Sequence, residues 1–139
     1  MIVVVDTDMN VPDEVSQLAI ELHDSSRVDQ HPTMENMFRE NIVSPSDLPL
    51  TMGVYPTSDP ESEFRLSVFA RLNNELVAHA AVRTRFIEGE ARVLRLTVER
   101  SCRNVECNPP GLSCRAGECT SEAVDPETYP LWDGSDPAM

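Results

Sequence analysis

Residues 64 to 99 alternate apolar and polar side chains, and this pattern limits the fold more than any other feature. Phe64, Leu66, Val68, Ala70 and Leu72 alternate with Arg65, Ser67, Phe69 and Arg71. Leu76, Ala78, Ala80, Val82, Thr84 and Phe86 alternate with Val77, His79, Ala81, Arg83 and Arg85. Leu94, Leu96 and Val98 alternate with Val93, Arg95, Thr97 and Glu99. A period of two belongs to a half-buried strand, so three strands are expected, joined as an antiparallel meander. Paired residues share a face, so parity sets the register. Pairing Leu72 with Leu76 leaves Asn73-Asn74-Glu75 as one loop. Pairing Phe86 with Glu90 leaves Ile87-Glu88-Gly89, with Gly89 at the left-handed position. In this register Arg65 lies opposite Arg83. Ala80 faces the core and Ala81 faces outward.

The remaining strands are shorter. Residues 2–6, 17–23 ("QLAIELH") and 48–55 ("LPLTMGVY") read as strands. Residues 25–47 are polar and irregular, with a short helix expected inside "TMENMFREN", and "SDPESE" at 58–63 reads as an acidic turn. Several short strands without a strong helix indicate an all-β chain. The expected architecture is an antiparallel β-sandwich of immunoglobulin-like or prealbumin-like type over residues 1–101. Residues 102–119 form a small disulfide-stapled extension, and residues 120–139 are expected to be a flexible acidic tail.

The extension, "CRNVECNPPGLSCRAGEC", holds Cys102, Cys107, Cys114 and Cys119 in the spacing C-x4-C-x6-C-x4-C. Zinc knuckles most often use C-x2-C pairs, and no His lies inside this segment. A Pro/Gly-rich segment too short for its own core is where disulfides occur. Disulfides are therefore favoured over zinc or free thiols. Four cysteines allow three connectivities; the interleaved one, Cys102–Cys114 with Cys107–Cys119, staples both ends of the segment.

Twenty-four acidic residues against 11 basic ones give a formal net charge of −13. Such a chain is not built for nonspecific binding to nucleic acid or to an anionic membrane, both of which present phosphate charge. All the basic residues are Arg, which fits GC-rich coding or a salt-adapted surface and identifies no function. No stretch approaches the roughly 18 apolar residues that span a bilayer. The start "MIVVVDTD" lacks the basic segment and apolar length of a signal peptide. Disulfides nonetheless imply an oxidising compartment, extracellular or in the cell envelope. A leader removed from these residues is therefore expected, with membrane attachment only through a lipid anchor outside them.

The opening "VVVDTDMNVPDEVSQLAIEL", the middle "LPLTMGVYP", the "RTRF" strand and the ending "VLRLTVERSCRNVECNPPGLSCRAGEC" together resemble a group of uncharacterised secreted proteins and lipoproteins of myxobacteria-like bacteria. The similarity spans most of residues 2 to 119, and the cysteine ending is its most specific part. The resemblance implies secretion and a β-sandwich. It carries over no catalytic residue.

Candidate sites are few. "VDTDMNVPDE" packs four carboxylates and an Asn into residues 5–14. With Asp6 as position one of an EF-hand, Asp8 and Asn10 match positions three and five. Val11 replaces the required Gly, Gln17 replaces the bidentate Glu, and Pro12 interrupts the helix start, so an EF-hand is rejected. A calcium site of another geometry would use Asp6, Asp8, Asn10 and Asp13. The competing reading is a strand end whose polar residues cap and turn. His23, His31 and His79 have no Cys, Ser or second His at a catalytic or metal-binding spacing. No G-x-S-x-G or phosphate-binding glycine loop occurs. No catalytic residue and no cofactor are assigned.

Arg65, Arg71, Arg83, Arg85 and Arg95 would share the outward face of the meander. Opposed like charges are destabilising, so this face requires a neutralising cover. An internal cover is expected from the 58–63 turn, the 25–40 region or the 120–139 tail, with the 58–63 turn the likelier lid; the alternative is a protein or anionic-surface partner. The expected function is a non-enzymatic secreted or envelope-surface domain with a binding or structural role. The alternative is a calcium-dependent carbohydrate- or surface-binding module.

Overall fold

The structure, a computed structural model, describes residues 1–24, 37–42, 44–56, 59–108 and 110–135. Nine strands follow in order: β1 (Ile2–Thr7), β2 (Gln17–Asp24), β3 (Met37–Asn41), β4 (Leu50–Gly53), β5 (Glu63–Leu72), β6 (Glu75–Arg85), β7 (Val93–Val98), β8 (Leu112–Arg115) and β9 (Glu118–Ser121). They form a three-stranded sheet in the order β4-β1-β7, a four-stranded sheet β3-β2-β5-β6 and a two-stranded ribbon β8-β9. Among the described residues strand predominates, and helix is limited to short 3-10 turns. The segment expected to be helical instead supplies β3, which pairs antiparallel with β2. Residues 33–36 of that segment, and His31, lie outside the described residues.

One apolar cluster joins the two larger sheets. Val3 and Val5 of β1 and Leu94 and Val98 of β7 meet Leu18 and Ile20 of β2, Phe64, Leu66, Val68 and Ala70 of β5, and Ala78, Ala80 and Val82 of β6. The even-numbered residues of β5, from Phe64 to Ala70, all point into this core, as the alternation requires. Phe86 continues the layer past the end of β6, its ring 4.6 Å from that of Phe64.

The β5–β6 hairpin has the expected register through its body. Phe64 pairs with Thr84, Arg65 with Arg83, Val68 with Ala80 and Ala70 with Ala78. The turn differs from the reading. Leu72 pairs with Glu75, leaving the two residues Asn73 and Asn74, at φ 51° and 70°. Two left-handed residues in a two-residue loop match the twist of the flanking strands, and Asn tolerates that conformation. Arg71 then pairs with Leu76, and a register shift follows Ala70. Val77 is the extra residue of this bulge. The bulge rephases the strand, so Leu76, expected inside, is 50% exposed, while Val77 packs against the core.

The meander does not extend to a third strand. β7 leaves the β5–β6 sheet and pairs with β1, Ile2 opposite Val93 and Thr7 opposite Val98, in parallel. The expected antiparallel arrangement therefore fails at this pair. Its physical cause lies in β1. Val3, Val4 and Val5 are all buried, so β1 is a central strand covered on both faces, and it takes neighbours on both edges: β4 antiparallel and β7 parallel. A continuous apolar run is the signature of such a strand. Gly89 does hold a left-handed turn, at φ 78°, with Glu90 N–H donating to Ile87 C=O, but the turn redirects the chain between sheets.

Residues 99–132 close one side of the molecule. β6 and β7 are each the last strand of their sheet. The free edge of β6 is covered first: Asn104 N–H donates to Val77 C=O, Ala81 N–H to Ser113 Oγ, and Arg83 N–H to Glu122 C=O, while Arg83 C=O accepts from Val124 N–H. The strap then passes to β7. Val93 N–H donates to Pro130 C=O, and Trp132 N–H donates to Ala91 C=O. Residues 122–132, expected to be part of a flexible tail, are thus tied into the backbone bonding of both sheets. An unpaired strand edge templates aggregation, and this segment covers the edge of β6 and the start of β7.

Candidate functional site

The chemistry-bearing side chains gather where the cystine-bonded segment lies on β5 and β6. Cys102 bonds to Cys114 and Cys107 to Cys119, the interleaved arrangement, each bond closing a sequence separation of 12 residues. In a chain-entropy account, loops of this length contribute about 3 kcal/mol each. No free cysteine remains among the described residues. β8 and β9 form a hairpin whose turn, Ala116-Gly117, places both residues at positive φ. Ala116 N–H donates to a Glu99 carboxylate oxygen at 2.6 Å, tying the hairpin back to the end of β7.

This segment seats the residue that neutralises the arginine face. Arg65 and Arg83 stand opposite one another, as the register requires. Arg65 Nε donates to both carboxylate oxygens of Glu122 at 3.1 Å, and Arg83 Nη2 lies 3.2 Å from Oε1 of the same group. Glu122 is 2% exposed. A carboxylate withdrawn from water is stable only when its charge and lone pairs are met, and two guanidinium groups meet them here. Glu63, the last residue of the 58–63 turn, is 3.7 Å from Arg83 Nε and 47% exposed, a weaker partner. The cover is therefore internal: Glu122 supplies most of it, and Glu63 of the acidic turn is a weaker second partner. That turn is otherwise a local device: Ser62 N–H donates to Asp59 C=O and Glu61 N–H to Asp59 Oδ1.

The other three arginines disperse. Arg71 sits at the bulge, and Arg85 is exposed at the end of β6, paired across from Glu63. Arg95 is on β7, in the other sheet, and lines a cavity at the gap between the sheets. The shared face of five arginines thus reduces to Arg65 and Arg83. The cause is the departure of β7 to β1.

His79 lies beside this pair. Its ring stacks on Phe69, centroids 4.6 Å apart at 15°. Burial and then the Arg65 charge hold the imidazole below the ordinary histidine pKa, with Glu122 and Glu21 opposing in part. His23 Nε2 is 3.4 Å from a Glu21 carboxylate oxygen. Neither arrangement is a general base set against a nucleophile.

The acidic 6–14 loop is used structurally. Asp6 Oδ1 accepts from Thr7 N–H, and Thr7 Oγ1 donates to Val98 C=O. Asp8 accepts the Arg100 N–H at 2.6 Å. Asn10 donates to Glu14, and Arg100 donates to both Glu14 oxygens, holding that carboxyl below its usual range. Asp13 is exposed. Among the described residues no group of three His, Cys, Asp or Glu is placed to hold a metal ion. Of the four groups proposed from spacing, Asp6 caps the strand end, Asp8 clasps the Arg100 backbone, Asn10 supports the Glu14–Arg100 ion pair and Asp13 is exposed.

Sequence reasoning offered the 120–139 tail as one possible cover without singling out Glu122. It stands three residues after Cys119, in a stretch without periodicity. The one signal was the opposed arginine pair, which demanded a buried carboxylate without saying which. No family model, no curated protein and no solved structure matches this chain.

Proposed function

We propose that the chain is a secreted or envelope-surface β-sandwich domain, of immunoglobulin-like or prealbumin-like type, that acts by binding or as a structural element. The single observation that carries this reading is the pair of interleaved disulfides. Bonds of this kind form and persist in an oxidising environment, such as the cell surface or the periplasm. Here they fasten a segment that covers the β6 edge, a use that suits a domain exposed outside the reducing cytosol. The resemblance to secreted proteins and lipoproteins of myxobacteria-like bacteria points the same way. Two sheets packed on one core, with the chain crossing repeatedly between them, support the sandwich reading.

A non-enzymatic role is favoured because the titratable groups at the centre serve packing. Glu122 neutralises Arg65 and Arg83, His79 stacks on Phe69, and the cysteines are bonded to one another. A protein or an anionic surface is the partner class that fits the remaining exposed arginines, while the charge of −13 disfavours nucleic acid. The test is fractionation of cells expressing the gene from its native start, with thiol labelling of the recovered protein. Recovery in the envelope or medium with no reactive thiol is expected. A cytosolic protein with four free thiols would overturn the reading.

A further inference from the structure

The two disulfides differ in their surroundings. Cys102 is 1% exposed and Cys114 6%, so the bond between them is closed to solvent. Cys119 is exposed and Cys107 only partly buried. β9, which carries Cys119, has no buried side chain. It is held by its pairings with β8, by the Thr120 hydroxyl donating to Ser113 C=O, and by the Cys107–Cys119 bond. Three residues after Cys119 comes Glu122, whose N–H donates to Gly111 C=O and whose C=O accepts from Arg83 N–H. We propose that Cys107–Cys119 is a site of thiol–disulfide exchange with small thiols, and that its opening loosens the Glu122 clasp on Arg65 and Arg83 while Cys102–Cys114 keeps β8 in place.

Exchange begins when a thiolate attacks one sulfur of the bond, so its rate depends on access to that sulfur. Exposure gives access at Cys119, and burial denies it at Cys102 and Cys114. The thiolate attacks Cys119 Sγ, a new S–S bond forms, and Cys107 leaves as a thiolate that takes a proton from water. A second thiolate attacks the small thiol's sulfur in this mixed disulfide, and Cys119 leaves in turn. The cystine gains two electrons and becomes two thiols; the two small thiols lose them and become one disulfide. The consequences for the sheet differ between the bonds. Cys102–Cys114 fixes β8, where Ser113 Oγ accepts the Ala81 N–H. Cys107–Cys119 fixes β9, from which the chain runs to the carboxylate that bridges Arg65 and Arg83. A buried ion pair is sensitive to geometry, so freedom gained by β9 falls first on Glu122. The inference rests on the disulfide-bonded state proposed above. Fractionation tests where that state arises, and the oxidised chain tests what its exposed bond does, so each can fail alone.

The test places the oxidised full chain in reduced glutathione near neutral pH. Samples are alkylated over time, and the modified cysteines are mapped by mass spectrometry. Cys107 and Cys119 should be alkylated about ten-fold or more sooner than Cys102 and Cys114. In the intermediate that keeps one bond, the Arg83 and Val124 amides should exchange about ten-fold faster than in the oxidised chain, with the Ala81 amide still protected. Cys107→Ser combined with Cys119→Ser should show the same amide pattern without any thiol reagent. Four cysteines that open together, or Cys102–Cys114 opening first, would overturn the proposal. So would an opened Cys107–Cys119 bond that leaves Arg83 and Val124 as protected as before. Should the double variant fail to fold, the glutathione time course and the amides of its one-bond intermediate decide alone.

Discussion

Arg65 and Arg83 face one another across β5 and β6, and the buried Glu122 carboxylate bridges them. Its removal should be costly in a specific way. Glu122→Gln keeps the shape but leaves two opposed cations over a partly buried site. A destabilisation of about 2–3 kcal/mol is expected, the lower part of the range for breaking a buried ion pair, because Arg83 still reaches solvent. Urea denaturation measures it. Pairing Glu122→Gln with Arg83→Thr should recover part of the loss, since the second change removes the repulsion. A cost within a few tenths of a kcal/mol would show that the cluster has no role in holding the strap. His79 gives a pH signature at the same place. Its folded pKa is depressed, chiefly by burial and next by Arg65. Below the ordinary histidine value near 6.5, the unfolded chain binds the proton more readily than the folded one. This contribution to stability is therefore complete above that pH and declines as pH falls toward the folded value. Between about pH 7.5 and about pH 5.5, His79→Phe should lose less stability than the native chain. Parallel declines in the two proteins would show that the ring titrates freely.

At the scale of strands, the alternation in residues 64–99 correctly exposed β5, most of β6 and the inward face of β7. It did so because each has one face on the core, and period two reports that directly. Two things were hidden. The first was the bulge at Val77. Asn73-Asn74 could serve as a left-handed pair or as part of a longer loop, and either choice gives the same register from Ala70 onward. The second was the partner of β7. Alternation states which face is buried and is silent on which edge is paired. The clue lay in "IVVV", whose unbroken apolar run marks a strand needing two neighbours. The strap was illegible for a related reason: residues 122–132 bond through backbone groups along edges, and side-chain patterns carry no record of that. The outward face of β6 tests these corrections. Ala81, which the alternation places in solvent, is 0% exposed beneath Ser113. Ala81→Arg should cost about 3 kcal/mol or more through overpacking and a buried charge. Leu76→Thr, at a position the alternation places inside, should change stability by less than about 0.5 kcal/mol. Urea midpoints showing the reverse order would restore the simple alternation and remove the bulge.

Across the whole molecule, two sheets share a core, and the chain's own C-terminal region covers the β6 edge and the start of β7. Interleaved disulfides fasten the first part of that region, and the Glu122 cluster and backbone bonds fasten the second. The compartment is linked to the fold by this arrangement: where the disulfides are reduced, the β6 edge loses its cover and the chain becomes open to strand addition. Native-state amide hydrogen exchange, followed with and without reductant, tests this most directly. In the oxidised protein the Ala81, Arg83 and Val124 amides should be protected, and reduction should release them while Leu66 and Val68 in the core stay slow. Ala81 and Arg83 amides that already exchange at the rate of an open strand edge in the oxidised protein would contradict the sealed edge.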